Sequence, residues 1–173
     1  KGRTFYPPAD NWPTRPTTDF ARTALFNILT NVLNFEEIKA LDLFGGTGAH
    51  SYELISRGCK EVVYVDKLKF AVQFVKENVE LWKIEENIKI VQMDYLLFIQ
   101  SCVQKFDYIF AGPPYELKKL DEIPDRVFEN GILADEGLFV LEHNPKFDFS
   151  EHPYFGQVRN YGQTHFSFFK KVE

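Results

Sequence analysis

The chain has 173 residues, of which 45% are hydrophobic and 26% charged, and its net charge is −5 at pH 7. This composition excludes a disordered chain and fits one domain that is long enough to bury a core. The acidic balance does not favour a free nucleic-acid-binding protein, and no apolar run approaches the roughly 20 residues of a membrane span. The two isolated cysteines lack metal-ligand spacing and fit a reducing cytoplasm.

The N-terminal segment, residues 1–18, is rich in proline and predicts an extended arm on a single domain that spans 1–173. Thr17, Thr18 and Asp19 offer N-cap chemistry, and apolar residues at helical spacing predict a helix over 20–33. The local basic charge of this region is compatible with RNA contact at one edge of an acidic protein. An ordinary solvated terminus explains the charge equally well.

From residue 38 onward, strand and helix patterns alternate, and 154–172 predicts a closing antiparallel pair with breaks at Gly156 and Gly162. Repeated β-α units imply an α/β fold, in which a mostly parallel sheet is covered by helices on both faces. The predicted strands are 38–44, 61–65, 88–92, 106–111 and 137–142, and the predicted helices are 49–57, 68–82, 96–103 and 120–130.

The segment 41–49, Leu-Asp-Leu-Phe-Gly-Gly-Thr-Gly-Ala, is the strongest indication of a ligand site. Glycines let the backbone turn sharply and approach a ligand closely, and ligands of α/β sheets bind beyond the carboxyl ends of the strands. Ser51 stands where a dinucleotide fingerprint needs its third glycine. The negative charge of Asp42 would repel a pyrophosphate, whereas it would attract a cationic or ammonium-bearing ligand. His50 is expected on the helix surface, with cofactor contact as the alternative.

Two further carboxylates follow predicted strands. Asp66 ends the second strand about 20 residues beyond the glycine loop, where a carboxylate can accept both hydroxyls of a ribose. Asp94 ends the third strand between Met93 and Tyr95, and this trio can accept from an adenine amine and flank the ring. Each acid taken singly is equally explained as a helix N-cap. Three acids at one sheet edge favour a nucleoside ligand, and S-adenosylmethionine fits better than a dinucleotide.

Three segments taken in order resemble the RsmD family: residues 15–19 (Arg-Pro-Thr-Thr-Asp), the glycine loop 41–49, and 113–115 (Pro-Pro-Tyr). These are bacterial 16S ribosomal RNA guanine-N2 methyltransferases with a class I, Rossmann-like methyltransferase fold. The resemblance spans nearly the whole chain and implies a seven-stranded, mostly parallel sheet with an antiparallel C-terminal pair. It implies S-adenosylmethionine as cofactor and guanine 966 of 16S rRNA, within the small ribosomal subunit, as target. We expect a cytoplasmic monomer that uses neither a metal nor a membrane.

The resemblance also implies site residues. Asp66 would hold the ribose of the cofactor, Asp94 with Tyr95 the adenine, and the remaining cofactor residues the methionine part or the arm that closes over it. Arg15 and Arg22 are implied phosphate contacts for RNA. The implied cofactor residues are Thr17, Thr18, Asp42, Phe44, Gly46, Gly48, Asp66, Asp94 and Tyr95, and the implied catalytic residues are Gly112, Pro113, Pro114 and Tyr115.

Gly112 departs from the family pattern, which has Asp or Asn before Pro-Pro-Tyr or Pro-Pro-Phe. Two acceptors, a side-chain oxygen and the Pro113 carbonyl, orient the target amine and stabilise the charge that develops on it, while Tyr115 stacks on the base. Gly112 lacks that side-chain acceptor, and losing one such hydrogen bond costs about 1–3 kcal/mol. Water or another carboxylate, such as Glu116, is a candidate replacement. Gly112→Asp is expected to leave or raise activity.

Two hypotheses follow from Gly112. The favoured one is a working methyltransferase with a substituted acceptor, because the cofactor residues are intact. The second is a ribosome-associated paralogue that binds S-adenosylmethionine with weak or no catalysis. A methyltransferase for a protein glutamine N5 or a DNA base stays as a further alternative, since Pro-Pro-Tyr is shared by many amino-methylating enzymes. An NAD-dependent oxidoreductase is disfavoured by Ser51.

Overall fold

The computed structural model describes residues 2–6 and 17–171, so most of the predicted arm lies outside the described residues. Every predicted strand and helix between 19 and 170 is present, with small shifts of its ends. The helices are α1 Asp19–Thr30, α2 Ala49–Ser56, α3 Lys69–Trp82, α4 Tyr95–Ser101 and α5 Ile123–Glu129. The strands are β1 Lys39–Leu43, β2 Glu61–Asp66, β3 Ile88–Gln92, β4 Phe106–Ala111, β5 Leu133–His143, β6 Phe155–Tyr161 and β7 Thr164–Lys170.

Three local predictions differ from the structure. The helix predicted over 120–130 opens as a separate 3₁₀ turn, and α5 begins only at Ile123 because Pro124 fits the first turn of a helix but not its interior. The strand β5 begins at Leu133, since a bulge against β4 carries the chain through Glu136, whose φ is 65°. Gly156 lies inside β6 at a second register shift and does not break the strand.

One seven-stranded sheet has the order β3-β2-β1-β4-β5-β7-β6. The pairs from β3 to β5 are parallel, whereas β7 runs antiparallel to both β5 and β6. The predicted α/β class and the antiparallel closing pair are therefore confirmed. The chain leaves β1 toward β2 on one side and returns to β4 on the other, so the sheet has its switch point between β1 and β4, where such folds bind ligands.

Alternating side chains divide the core into two layers, one on each face of the sheet. Tyr64 and Tyr108 point to the face covered by α1, α2 and α3, and Ile109 and Leu141 point to the face covered by α4 and α5. Helices on both faces were predicted, and the two buried clusters confirm them. Within the described part of the chain, no helix is both long and apolar enough to cross a bilayer.

Candidate active site

Strand register brings the predicted site residues to one edge. Leu43 of β1 lies beside Ala111 of β4, and Ala111 lies beside Leu141 of β5. One residue further along the chain, these three strands lead to Phe44, Gly112 and Glu142. These residues therefore form one row at the edge of the sheet, beside the switch point. Asp42 lies one step below Leu43, beside Phe110 rather than beside Glu142.

The glycine loop after β1 is shaped by backbone geometry and by Tyr64. Gly46 and Gly48 have φ angles of 53° and 84°, which favour glycine. A Cβ on Gly45 would lie 2.2 Å from the ring of Tyr64, whose hydroxyl donates to the Gly46 carbonyl over 2.6 Å. Tyr64, a residue that the sequence analysis did not identify, thus anchors the loop by packing against Gly45 and by its hydrogen bond to Gly46.

Asp66 and Asp94 lie at adjacent strand ends, as predicted, and both accept backbone hydrogen bonds. Asp66 accepts from the amides of Gly46 and Leu68, each over 2.9 Å, so it ties the glycine loop to the start of α3. Asp94 caps α4 by accepting from Leu96 over 2.9 Å. The capping explanation therefore holds for Asp94. It does not exclude ligand binding, because an ionised carboxylate has about four lone-pair sites.

A cavity of about 250 Å³ lies between the glycine loop, β2 and β3. The rings of Phe44 and Tyr95 are 4.7 Å apart and form one aromatic wall. Phe44 has a φ of 59°, an uncommon conformation for a residue with a bulky side chain and one that concentrates at functional sites. The cavity is lined by Phe44, Val65, Asp66, Lys67, Leu68, Met93, Asp94, Tyr95, Gly112, Pro114 and Leu117.

A smaller cavity of about 60 Å³ shares Phe44 and Gly112 with the first and extends beneath α1. It contains one cation, Arg22, and two buried carboxylates, Asp42 and Glu142. Burial raises the pKa of the Asp42 carboxyl to about 7, although the Ser51 hydroxyl donates to it over 2.7 Å. The lining residues are Thr17, Arg22, Leu25, Asp42, Phe44, Gly45, Ala49, His50, Phe110, Gly112 and Glu142.

His50 also lines the smaller cavity, and the expectation that it lies on the helix surface is wrong. Its ring stacks on Phe110 with centroids 3.8 Å apart, and Nε2 lies 2.9 Å from the Tyr108 hydroxyl. Burial and the nearby Arg22 charge lower the pKa of His50, so its ring is neutral at physiological pH. The helix α2 packs against β1 and β2, and His50 in its first turn points from there to Tyr108 and Phe110 of β4.

Glu142 is the main site residue that the sequence analysis missed. It is 5% exposed and lies at the end of β5. The Thr17 hydroxyl donates to Oε1, and the Tyr115 hydroxyl donates to Oε2 over 2.9 Å. Burial raises the pKa of Glu142, an effect that these two hydrogen bonds oppose. The position of a carboxylate at the end of a predicted strand was visible in the sequence, but the adjacency of β5 to β4 was not.

The remaining predicted residues divide between the cavities and their surroundings. Thr18 caps α1 by accepting from the Ala21 amide. Gly46 and Gly48 shape the loop, while their neighbours Gly45 and Ala49 line the small cavity. Arg22 lines that same cavity and pairs with Asp19 over 2.7 Å, whereas Arg15 lies outside the described residues. Glu116 is exposed and lines neither cavity, so it is not placed to replace a side chain at position 112.

This strand order, with a glycine loop after β1, acidic residues after β2 and β3 and a Pro-Pro-Tyr turn after β4, defines the class I S-adenosylmethionine-dependent methyltransferase fold. The hypothetical protein TTHA0928 of Thermus thermophilus superposes with a TM-score of 0.82 at 26% identity, over 99% of this chain and 95% of that chain. YlbH of Bacillus subtilis is 30% identical over 141 residues, which cover 80% of this chain and 76% of that protein.

Ribosomal RNA small subunit methyltransferase D of Escherichia coli K12 is 30% identical over 136 residues, which cover 79% of this chain and 67% of that protein. The family described as Conserved hypothetical protein 95 matches residues 1–170. The chain belongs to this family, the RsmD family, as the motifs at 15–19, 41–49 and 113–115 predicted.

Proposed function

We propose that this protein transfers a methyl group from S-adenosylmethionine to the exocyclic N2 of a guanine in 16S rRNA of the small ribosomal subunit. The observation that carries the proposal is the pair of cavities that meet at Phe44 and Gly112, directly beside the Pro-Pro-Tyr turn. The printed name of the Escherichia coli relative, a small subunit rRNA methyltransferase, supports the substrate class. Guanine N2 as the acceptor rests on the family resemblance.

The large cavity fits the adenosine part of the cofactor. The Asp66 carboxylate keeps lone pairs for a ribose diol beyond its two backbone hydrogen bonds, which fix its orientation. Tyr95 and Met93 offer flat and polarisable surface to an adenine ring, and Asp94 can accept from its amine. The loop conformation beside this cavity requires glycine at position 45, because the space that a Cβ would need is filled by Tyr64.

The small cavity fits the amino-acid part of the cofactor, which carries a carboxylate and an ammonium group. Asp42 is placed to attract the ammonium, and its proton is lost on binding because a cation favours the ionised carboxylate. Arg22 lines the same cavity, so we assign its guanidinium to the cofactor carboxylate in place of the RNA phosphate that the sequence suggested. When bound, the cofactor supplies an electrophilic methyl group on a sulfonium.

The Pro-Pro-Tyr turn lies where the target base must enter. The Pro113 carbonyl is one acceptor for the guanine amine, and Tyr115 lines the approach with its hydroxyl held by Glu142 and by Thr164 over 3.3 Å.

Phe20 is 72% exposed at the start of α1 and packs edge-on against Tyr161, with centroids 5.9 Å apart. The exposed ring of Phe20 suits the stacking of an RNA base.

The decisive test is mass spectrometry of small-subunit RNA from cells with and without the gene, with purified subunits and free rRNA methylated in parallel. Loss of one N2-methylguanine on deletion, and its return with the wild-type gene but not with Asp66→Ala, is the expected result. Binding of S-adenosylmethionine with no change in RNA methylation would support the silent paralogue. Methyl transfer to a protein glutamine or to a DNA base, in place of rRNA, would replace the proposed substrate with that one.

A further inference from the structure

The acceptor that Gly112 lacks has a structural counterpart on the neighbouring strand. A Cβ placed on Gly112 would lie 3.9 Å from Oε1 of Glu142 and 3.1 Å from the Phe110 ring. The strand register explains this proximity, because Ala111 pairs with Leu141 and the two following residues lie side by side. The space that an Asp or Asn side chain would enter from position 112 is therefore bordered by a buried carboxylate.

We propose that Glu142 supplies the side-chain acceptor for the target amine that other enzymes with this turn take from the residue before Pro-Pro. This inference rests on the proposed function and names a catalytic residue for it. The two acceptors for the amine are then Glu142 Oε1 from β5 and the Pro113 carbonyl from the turn after β4. Glycine at position 112 leaves open the path between the carboxylate and the entering base.

The surroundings of Glu142 suit this role. The Thr17 and Tyr115 hydroxyls each donate to a different carboxylate oxygen, which fixes the carboxylate plane and leaves further lone pairs on both oxygens. Tyr115 also belongs to the turn that receives the base, so one hydrogen bond links the base platform to the acceptor. Thr17 precedes α1, and its hydroxyl holds the other carboxylate oxygen.

Asp42 and Glu142 both line the small cavity, but they lie on strands that β4 separates. Asp42 is on β1 beside Phe110, whereas Glu142 is on β5, across β4 and at the level of the Pro-Pro-Tyr turn. A ligand that reaches from Asp66 to Asp42 leaves Glu142 on the side of the base. We therefore assign Asp42 to the cofactor and Glu142 to the acceptor substrate.

The transfer step balances with these groups. The lone pair of the guanine amine forms the N–CH₃ bond as the S–CH₃ bond breaks, and the electron pair of that bond stays on sulfur. The nitrogen gains positive charge during this step, which the Glu142 carboxylate stabilises through the N–H that it accepts. One amine proton then passes to the carboxylate and from there to solvent, so Glu142 returns to its starting state.

The test is a rescue experiment with purified subunits. Glu142→Ala is expected to lower kcat by about 10- to 100-fold, since one charge-assisted hydrogen bond is lost, with little change in the Kd of S-adenosylmethionine by calorimetry. The double variant Gly112→Asn/Glu142→Ala restores an acceptor from position 112. Its kcat should be at least tenfold higher than that of Glu142→Ala. Glu116→Ala, which removes an exposed carboxylate from the same turn, is the matched control and should match the wild type.

A purely structural role for Glu142 predicts a different pattern, because Asn at position 112 cannot replace the hydrogen bonds to Thr17 and Tyr115. A double variant as slow as Glu142→Ala, with Gly112→Asn alone active, would overturn the proposal, as would wild-type kcat in Glu142→Ala. Should Ala fail to fold in thermal unfolding, Glu142→Leu fills the volume and the same outcomes apply. A wild-type protein that methylates neither subunits nor free rRNA would instead refute the proposed function.

Discussion

Replacing Gly112 with Asp tests how the site is organised, because it restores the family's side chain in a pocket that already holds a carboxylate. The sequence led us to expect unchanged or higher activity. With Glu142 as the acceptor we expect the opposite, since a Cβ at this position would lie 3.9 Å from Glu142 Oε1. An Asp side chain would therefore place a second negative charge next to a buried first one, in the small cavity whose cation among the described lining residues is Arg22.

Two unit charges about 4 Å apart repel by about 4 kcal/mol at an effective dielectric constant of 20. Such repulsion raises the pKa of one of the two carboxyls, so the pair holds one proton up to a higher pH than a single carboxyl does. The shared proton occupies an oxygen that should accept from the target amine. We expect kcat of Gly112→Asp, relative to wild type at the same pH, to fall at least tenfold at pH 6, where the pair holds this proton, and to recover toward pH 8, where the proton is lost.

The assay is methyl transfer to purified subunits from pH 6 to pH 8, with thermal unfolding of each variant alongside. Gly112→Asn is the control of equal size and no charge, and it should stay within a fewfold of wild type across the range. Both substitutions need a small shift of the Phe110 ring, which lies 3.1 Å from the added Cβ, so steric cost cancels between them. Wild-type activity of Gly112→Asp at pH 6, or wild-type stability at pH 8, would refute the reasoning.

Three further predictions concern the cofactor side. Asp42→Asn should become more stable relative to wild type as pH rises from about 4 to about 7, by up to about 1.4 kcal/mol per pH unit. The reason is that the raised pKa of Asp42 makes its ionisation costly in the folded protein. A difference in the free energy of unfolding in urea that does not change with pH would contradict this. Gly45→Ala should lower the free energy of unfolding by about 1–3 kcal/mol, since its Cβ meets the buried ring of Tyr64; unchanged urea midpoints would count against it. Asp66→Ala should raise the Kd of S-adenosylmethionine about 10- to 100-fold in calorimetry, with a smaller effect for Asp66→Asn; equal Kd values for all three proteins would remove Asp66 from the ribose site.

Much of the fold was predictable because its signals are local. Apolar runs such as 61–65 and 106–111 have the length of a strand and are bounded by turns, so they indicate buried strands. The closing antiparallel pair is indicated by a glycine at its turn. The misplaced start of β5 has the opposite cause. The predicted strand begins at residue 137, but pairing with β4 extends back to Leu133 by means of a bulge. A bulge depends on a partner strand that sequence order does not identify.

The candidate site divides in the same way. Asp42, Asp66 and Asp94 were predictable as one set, because each lies at the end of a parallel strand and the carboxyl ends of such strands share an edge. Arg22 was assigned to RNA since an arginine near an extended arm gives no sign of its direction. The structure shows it facing the small cavity from α1, where helix periodicity alone would have allowed either face.

Glu142 marks the limit of what a motif can indicate. The turn 112–115 locates where an amine must be held, but a motif describes one stretch of chain, and an acceptor needs only to be close in space. Because β4 and β5 pair in register, a carboxylate on β5 reaches nearly the place that a side chain at position 112 would reach. Gly112 is then not a missing catalytic group but the condition that makes room for one. The same chemistry is available to the site from a different strand, provided that only one of the two positions carries the acid.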